Sequence, residues 1–142
     1  MKNYADYHVA LKILLRRGDD YLFLRCSKTD HPQHLDLPGG RIDVGEEDKS
    51  FADILSREIV EELGENLKYK LGVSQFQFRR FFPTLGYKIF LTVFDGEYLE
   101  GDISLSDEHD ETIWINPNAE KLKREQFLND EEFEAFRTYF QK

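Results

Sequence analysis

Apolar residues fall in short runs closed off by turn-forming residues, a pattern that predicts strands for much of the chain. Residues 7–17 read as a strand, Gly18-Asp19-Asp20 as a turn, and 21–26 as the antiparallel partner. A polar loop containing His31, Pro32 and His34 follows over 27–36. Leu37-Pro38-Gly39-Gly40 then reads as a tight irregular turn. Ser50 is placed to cap a helix over 51–63, and Gly64 to stop it. Two further strands, 67–82 and 87–95, flank a turn at 83–86, and a short strand at 112–115 carries the single Trp. Helical pieces close the chain at 118–123 and 130–140, the second with Phe133, Phe136 and Phe140 on one stripe. The expectation is one mixed α/β domain over 1–142, rich in strands, with a central helix.

Composition narrows the function classes. At 142 residues, 40% hydrophobic and 14% aromatic, the chain can build one sizeable core. The 19 Lys and Arg against 28 Asp and Glu leave a net charge of −9, which argues against non-specific binding to nucleic acid. A phosphorylated ligand would need metal cations or a local basic patch to offset that charge. Cys26 is the single cysteine, so an intramolecular disulfide and a Cys-built zinc site are excluded. The N-terminal residues do not look like a signal peptide, and no apolar run is long enough to span a bilayer. A cytoplasmic protein without a membrane partner is the simplest reading.

The central helix carries the candidate chemistry. Ala52, Leu55, Ile59 and Leu63 form its expected core-facing stripe. Glu58, Glu61 and Glu62 fall within about 100° of one another around the axis. Glu58/Glu62 and Glu61/Glu65 are like-charge i, i+4 pairs, each costing a few tenths of a kcal/mol. They also lie near the helix C-terminus, where the macrodipole disfavours negative charge. A divalent cation held between the carboxylates would resolve both conflicts, because hard cations take clustered oxygen ligands. From the helix alone, a metal site and a solvated acidic face both account for the pattern.

The preceding turn adds a backbone able to bend sharply and approach a ligand closely, with carbonyls free to ligate. Gly40, five residues, Glu46, and then Arg57-Glu58-Ile59-Val60-Glu61-Glu62-Leu63-Gly64 together resemble the signature of the Nudix hydrolases. That signature is a Gly, five residues, a Glu, seven residues, Arg-Glu, an aliphatic, any residue, Glu-Glu, any residue, Gly and an aliphatic. Two departures stand out. Ten residues separate Glu46 from Arg57, three more than the pattern, and they are expected to lengthen the loop around Glu47-Asp48-Lys49. Glu65 stands where the closing aliphatic belongs, with Leu67 expected to take over its packing.

The resemblance implies an α/β/α sandwich around a mixed sheet, and hydrolysis of the diphosphate of a nucleoside diphosphate derivative with Mg²⁺ or Mn²⁺. It implies Glu61 and Glu62 as metal ligands, Glu58 as a third ligand or the base, and the Gly39 carbonyl as a further ligand. Arg57 is expected to orient the glutamates. Glu108 resembles the extra glutamate that family members often carry in a loop before a late strand, as base or ligand. Substrate candidates outside the signature are Arg25 and Lys28, at a strand end and beyond it, and Arg80 among Phe76, Phe78, Phe81 and Phe82. His31 and His34 have ligand-like spacing, although a polar loop is their plainer reading. Three classes remain: a metal-dependent pyrophosphohydrolase, a catalytically silent nucleotide-binding module, and an acidic interaction domain. Nucleoside triphosphates, sugar nucleotides, ADP-ribose and dinucleoside polyphosphates share the same chemistry, and neither the substrate nor the oligomeric state, a homodimer included, is readable here.

Overall fold

The computed structural model describes residues 2–141; Met1 and Lys142, the ends of the expected domain, lie outside the described residues. The elements run β1 (His8–Arg17), β2 (Asp20–Arg25), β3 (Gly39–Arg41), α1 (Phe51–Leu63), β4 (Lys68–Phe82), β5 (Tyr87–Glu100), β6 (Glu111–Ile115) and α2 (Asp130–Phe140). The strands form one mixed sheet in the order β4-β5-β1-β2-β6, with β3 also paired to β1. Strand β1 runs parallel to β5 from His8 to Arg16. Its other edge is shared: Arg16 and Arg17 pair with β2, while Ala10, Leu11 and Lys12 pair with β3. That division places Gly39 opposite Lys12 and Gly40 opposite Leu11.

Both faces of the sheet are covered. In β1, Ala10 and Leu14 pack in one core cluster, while Leu11, Ile13 and Leu15 pack in the other. A strand buried on both faces is therefore a nearly continuous apolar run, as its sequence shows. Helix α2 closes the first cluster with Phe133, Phe136, Tyr139 and Phe140, and α1 closes the second with Ile54, Leu55, Ile59 and Leu63. The result is the expected helix–sheet–helix sandwich. Leu67 joins the α1 cluster, in the packing role expected of it.

Three local expectations change. Ala52 is exposed and Ile54 takes its place in the buried stripe of α1. Strand β5 runs to Glu100, past the expected end at residue 95. There the Asp95 carboxylate accepts from the Val73 amide at 2.7 Å, spanning an irregularity in the β4–β5 pairing, so the strand continues through a bulge. Residues 118–123 form no helix. The Asn116 carbonyl accepts from Ala119 and Glu120 to close one turn, and a single 3₁₀ turn follows at Arg124–Gln126. Six residues with little apolar surface to bury fall short of a stable helix. Among the described residues no helix is long and apolar enough to cross a membrane.

Candidate active site

Glycine is required at the first position of β3, where the sequence pattern suggests a turn and the structure has a strand. Gly39 adopts φ +134°, and a Cβ there would collide with the Leu11 carbonyl oxygen. At Gly40 a Cβ would run into the Glu58 carboxylate. The missing side chains thus bring α1 and its acidic face against the backbone of β3. Helix α1 itself begins at Ser50, whose hydroxyl accepts from the Asp53 amide at 3.1 Å, and ends at Gly64 with φ +87°.

Arg57 is the hub of the acidic face. Its Nε and Nη2 donate to the two carboxylate oxygens of Glu46 at 3.0 and 2.8 Å. Its Nη1 lies 2.9 Å from Glu58 and 3.3 Å from Glu61, and Asp43 stands at 3.4 Å. The bond from Arg57, helped by the Asp43 amide, holds the Glu46 pKa below its ordinary value. The three extra residues after Glu46 are absorbed in turns, with the Lys49 amide donating to the Glu46 carbonyl. Glu58 goes the other way. Burial raises its pKa, Glu61 and Asp43 add to the rise, and Arg57 offsets it in part. A carboxylate kept short of solvent among other carboxylates is a favourable place for a cation.

Glu62 is held apart from these, buried at 4% exposure. Its Oε2 accepts from the Gly39 amide at 3.0 Å. Its Oε1 lies 2.8 Å from His109 Nδ1, yet the approach is not directed as a hydrogen bond, and both atoms are buried without one. The far nitrogen of that ring, Nε2, lies 3.2 Å from the Asp36 carboxylate. Asp36 in turn is 3.4 Å from Lys12 Nζ and 3.3 Å from Arg80 Nη2. Burial alone would raise the Asp36 pKa, but Lys12, Arg80 and His109 hold it well below the usual carboxylate range. For His109, burial acts downward while Asp36 and Glu62 raise the pKa to about 9.

Glu58, Glu61 and Glu108 line one cleft of about 400 Å³ together with Gly39, Gly40, Asp43, Lys12, Arg57 and Arg80. The loop carrying Glu108 is tied down at both ends. The Ser104 and Ser106 amides donate to the Leu63 and Glu62 carbonyls. Asp110 accepts from the Ser27 amide at 3.0 Å and from its hydroxyl. A second cleft of about 340 Å³ contains His31, His34, Asp36, Phe82, His109 and, again, Arg80. The rings of His31 and His34 stack with centroids 4.8 Å apart. Arg80 is paired with Glu132 and Asp36 between the two clefts. Arg25 is bound to Glu111 at 2.6 Å, and neither it nor Lys28 lines either cleft. Lys12, Asp36 and His109 were not among the site residues expected from the sequence. The available signal was a lysine inside an otherwise apolar strand and a histidine beside Glu108 in an acidic stretch.

A family model described as the NUDIX domain matches residues 6–136. The chain belongs to the NUDIX family. Its enzyme class is accordingly that of the Nudix pyrophosphohydrolases, as the Gly40–Gly64 signature implied. A MutT protein from Methanosarcina mazei Go1 is similar over 99% of this chain and 94% of its own, at 25% identity and a TM-score of 0.70. A NUDIX hydrolase from Nitrosomonas europaea matches 96% of this chain and 90% of its own, with 16% identity and a TM-score of 0.72. A UDP-X diphosphatase structure covers 99% of this chain and 64% of its own at 17% identity, with a TM-score of 0.68. No curated protein sequence matches this NUDIX chain.

Proposed function

We propose that this NUDIX domain hydrolyses the diphosphate linkage of a nucleoside diphosphate derivative, with water attacking phosphorus and a divalent cation, Mg²⁺ or Mn²⁺, bound at the acidic face of α1. The observation that carries this reading is the convergence of the Gly39-Gly40 backbone with Glu58, Glu61 and Glu108 on one cleft. The residues suit a cation. The Glu62 Oε1 oxygen is buried without a hydrogen bond, and Glu58 occupies the space a Cβ at Gly40 would take. Glu58, Glu61, Glu62 and the Gly39 carbonyl would hold it. When bound, the cation neutralises diphosphate oxygens and acidifies water.

The protein's own groups do the rest. Arg57 keeps Glu58 and Glu61 in place by charge-assisted contacts and commits its Nε and Nη2 to Glu46, which suits a positioning role. Glu108 stands exposed on the cleft wall, where it can accept a proton from water or add a ligand. Lys12 puts a positive group on the floor of the same cleft. The fitting substrates are anionic and nucleotide-like; a nucleoside triphosphate, a sugar nucleotide, ADP-ribose and a dinucleoside polyphosphate are the panel to test.

The experiment is phosphate release from that panel after phosphatase coupling, with products identified by mass and Mg²⁺ present or chelated. Turnover of at least one member is expected, dependent on the cation. Glu61→Gln and Glu62→Gln should each lower turnover about a hundredfold, the scale of losing one electrostatic catalytic element. Tight binding of one member without turnover would identify a silent binding module instead.

A further inference from the structure

The least satisfied polar pair among the described buried atoms is Glu62 Oε1 and His109 Nδ1, 2.8 Å apart and without a directed hydrogen bond. The His109 ring meets a carboxylate at each nitrogen. Without a cation the ring, flanked by two carboxylates, holds a proton on each nitrogen, Nε2–H toward Asp36 and Nδ1–H beside Glu62. A cation that displaces the Nδ1 proton would lie between or beside two electron-rich atoms at this separation. The Nδ1 proton makes no directed hydrogen bond to Oε1, so its displacement by a metal ion forfeits none. A metal ion needs no such alignment between the two donors. Neighbouring ligands at right angles around a cation, each at about 2.1 Å, stand about 3 Å apart, close to the observed spacing.

The surroundings have the features of a histidine metal ligand. A ligating imidazole nearly always donates its other N–H to a carboxylate or carbonyl, which fixes ring and tautomer. Asp36 is that carboxylate, and it is itself fixed by Lys12 and Arg80. Glu108, the residue next to His109, brings a carboxylate oxygen to within 4.8 Å of both the Glu62 and His109 donor atoms. The loop is preorganised by its bonds to the Glu62 and Leu63 carbonyls and to Ser27.

We propose that His109 Nδ1 is a nitrogen ligand to the cation bound by Glu62, with Glu108 on a third side and Asp36 holding the ring. This rests on the cation-dependent reading above and adds to it a preference. Mg²⁺ seeks oxygen ligands and sheds water reluctantly, whereas first-row transition ions gain from imidazole. The site therefore favours ions such as Mn²⁺, Co²⁺ or Zn²⁺ over Mg²⁺ by more than an all-oxygen site would.

The test uses the full chain loaded with one equivalent of Mn²⁺ and needs no catalysis. Pulsed electron paramagnetic resonance should show ¹⁴N coupling to the Mn²⁺, replaced by ¹⁵N coupling when only histidine is labelled. The coupling should vanish in His109→Gln and persist in His31→Gln and His34→Gln. Titration calorimetry should show Mn²⁺ affinity falling about tenfold or more in His109→Gln, the scale on which even outer-shell partners act, with Mg²⁺ affinity little changed. The labelled wild-type chain decides the matter even if His109→Gln fails to fold. Mn²⁺ bound without histidine coupling would overturn this proposal and leave the pyrophosphohydrolase standing, with His109 a brace for Glu62. Coupling that survives in His109→Gln would overturn the assignment to this residue. Failure to bind Mn²⁺ or Mg²⁺ at all would overturn both readings.

Discussion

Glu58 and Glu108 reach the same cleft from different elements, one from α1 and the other from the loop ahead of β6. Glu58 is bound to Arg57 at 2.9 Å and is mostly buried, while Glu108 is exposed. A base must release its proton to solvent between turnovers, and the exposed position serves that better. This favours the proposed roles, Glu58 as a ligand and Glu108 as the base or an extra ligand. Gln variants at the two positions, measured at saturating substrate over a range of Mg²⁺, separate the roles. Glu58→Gln should recover part of its activity as Mg²⁺ is raised, because a lost ligand weakens cation binding. Glu108→Gln should stay slow at every Mg²⁺ concentration if it is the base. Full turnover in Glu108→Gln, with Glu58→Gln inactive throughout, would move the proton to Glu58.

Helix α1 was legible in the sequence because cap, stop and acidic register are all local: Ser50, Gly64 and the 58–61–62 spacing lie within fifteen residues. Helix α2 was legible through its Phe133, Phe136, Phe140 stripe, and its Asn129 cap emerged only in the structure. What escaped is long-range. Asp36 and His109 are 73 residues apart, and neither has a periodic pattern to betray the pairing. The length of β5 escaped because the strand continues through an irregularity in its pairing with β4, where Asp95 accepts from the Val73 amide, a contact across strands with no local signal. The start of α2 supplies a test at this scale. Glu131, in its first turn, accepts from the Arg79 amide at 2.7 Å and pairs with the Arg79 guanidinium at 2.7 Å, clamping the helix to β4. The Arg79 hydrogen bond lowers the Glu131 pKa. A carboxylate with a depressed folded-state pKa stabilises the fold above its unfolded value, about 4.3, and loses that contribution as pH falls through the folded value. Glu131→Gln should therefore melt below wild type at pH 7, and the gap should narrow once pH drops below about 4. A gap that stays constant from pH 7 to pH 3 would show that the clamp is not ionic.

Across the whole molecule, Arg80 joins the two helical layers to the site. It extends from β4, binds Glu132 of α2 through two donors at 2.8 and 2.9 Å, reaches Asp36 at 3.3 Å, and lines both clefts. Asp36 leads on through His109 to Glu62 on α1, so one chain of charged groups runs from α2 to the acidic face. Glu132 is 1% exposed, which makes its pairing with Arg80 a buried ion pair. Such pairs add little net stability over apolar replacements, but removing one partner strands a buried charge and costs about 3–5 kcal/mol. Glu132→Gln and Arg80→Met should each show a loss of that order in urea unfolding. The double variant Arg80→Met with Glu132→Leu should recover much of it, since neither charge is then left alone. Turnover in the double variant should still fall, because Asp36 loses a cation that holds it against His109. Stability recovering together with full activity would mean that the chain of charges serves the core alone. A double variant no more stable than the worse single one would mean that Arg80 and Glu132 act independently.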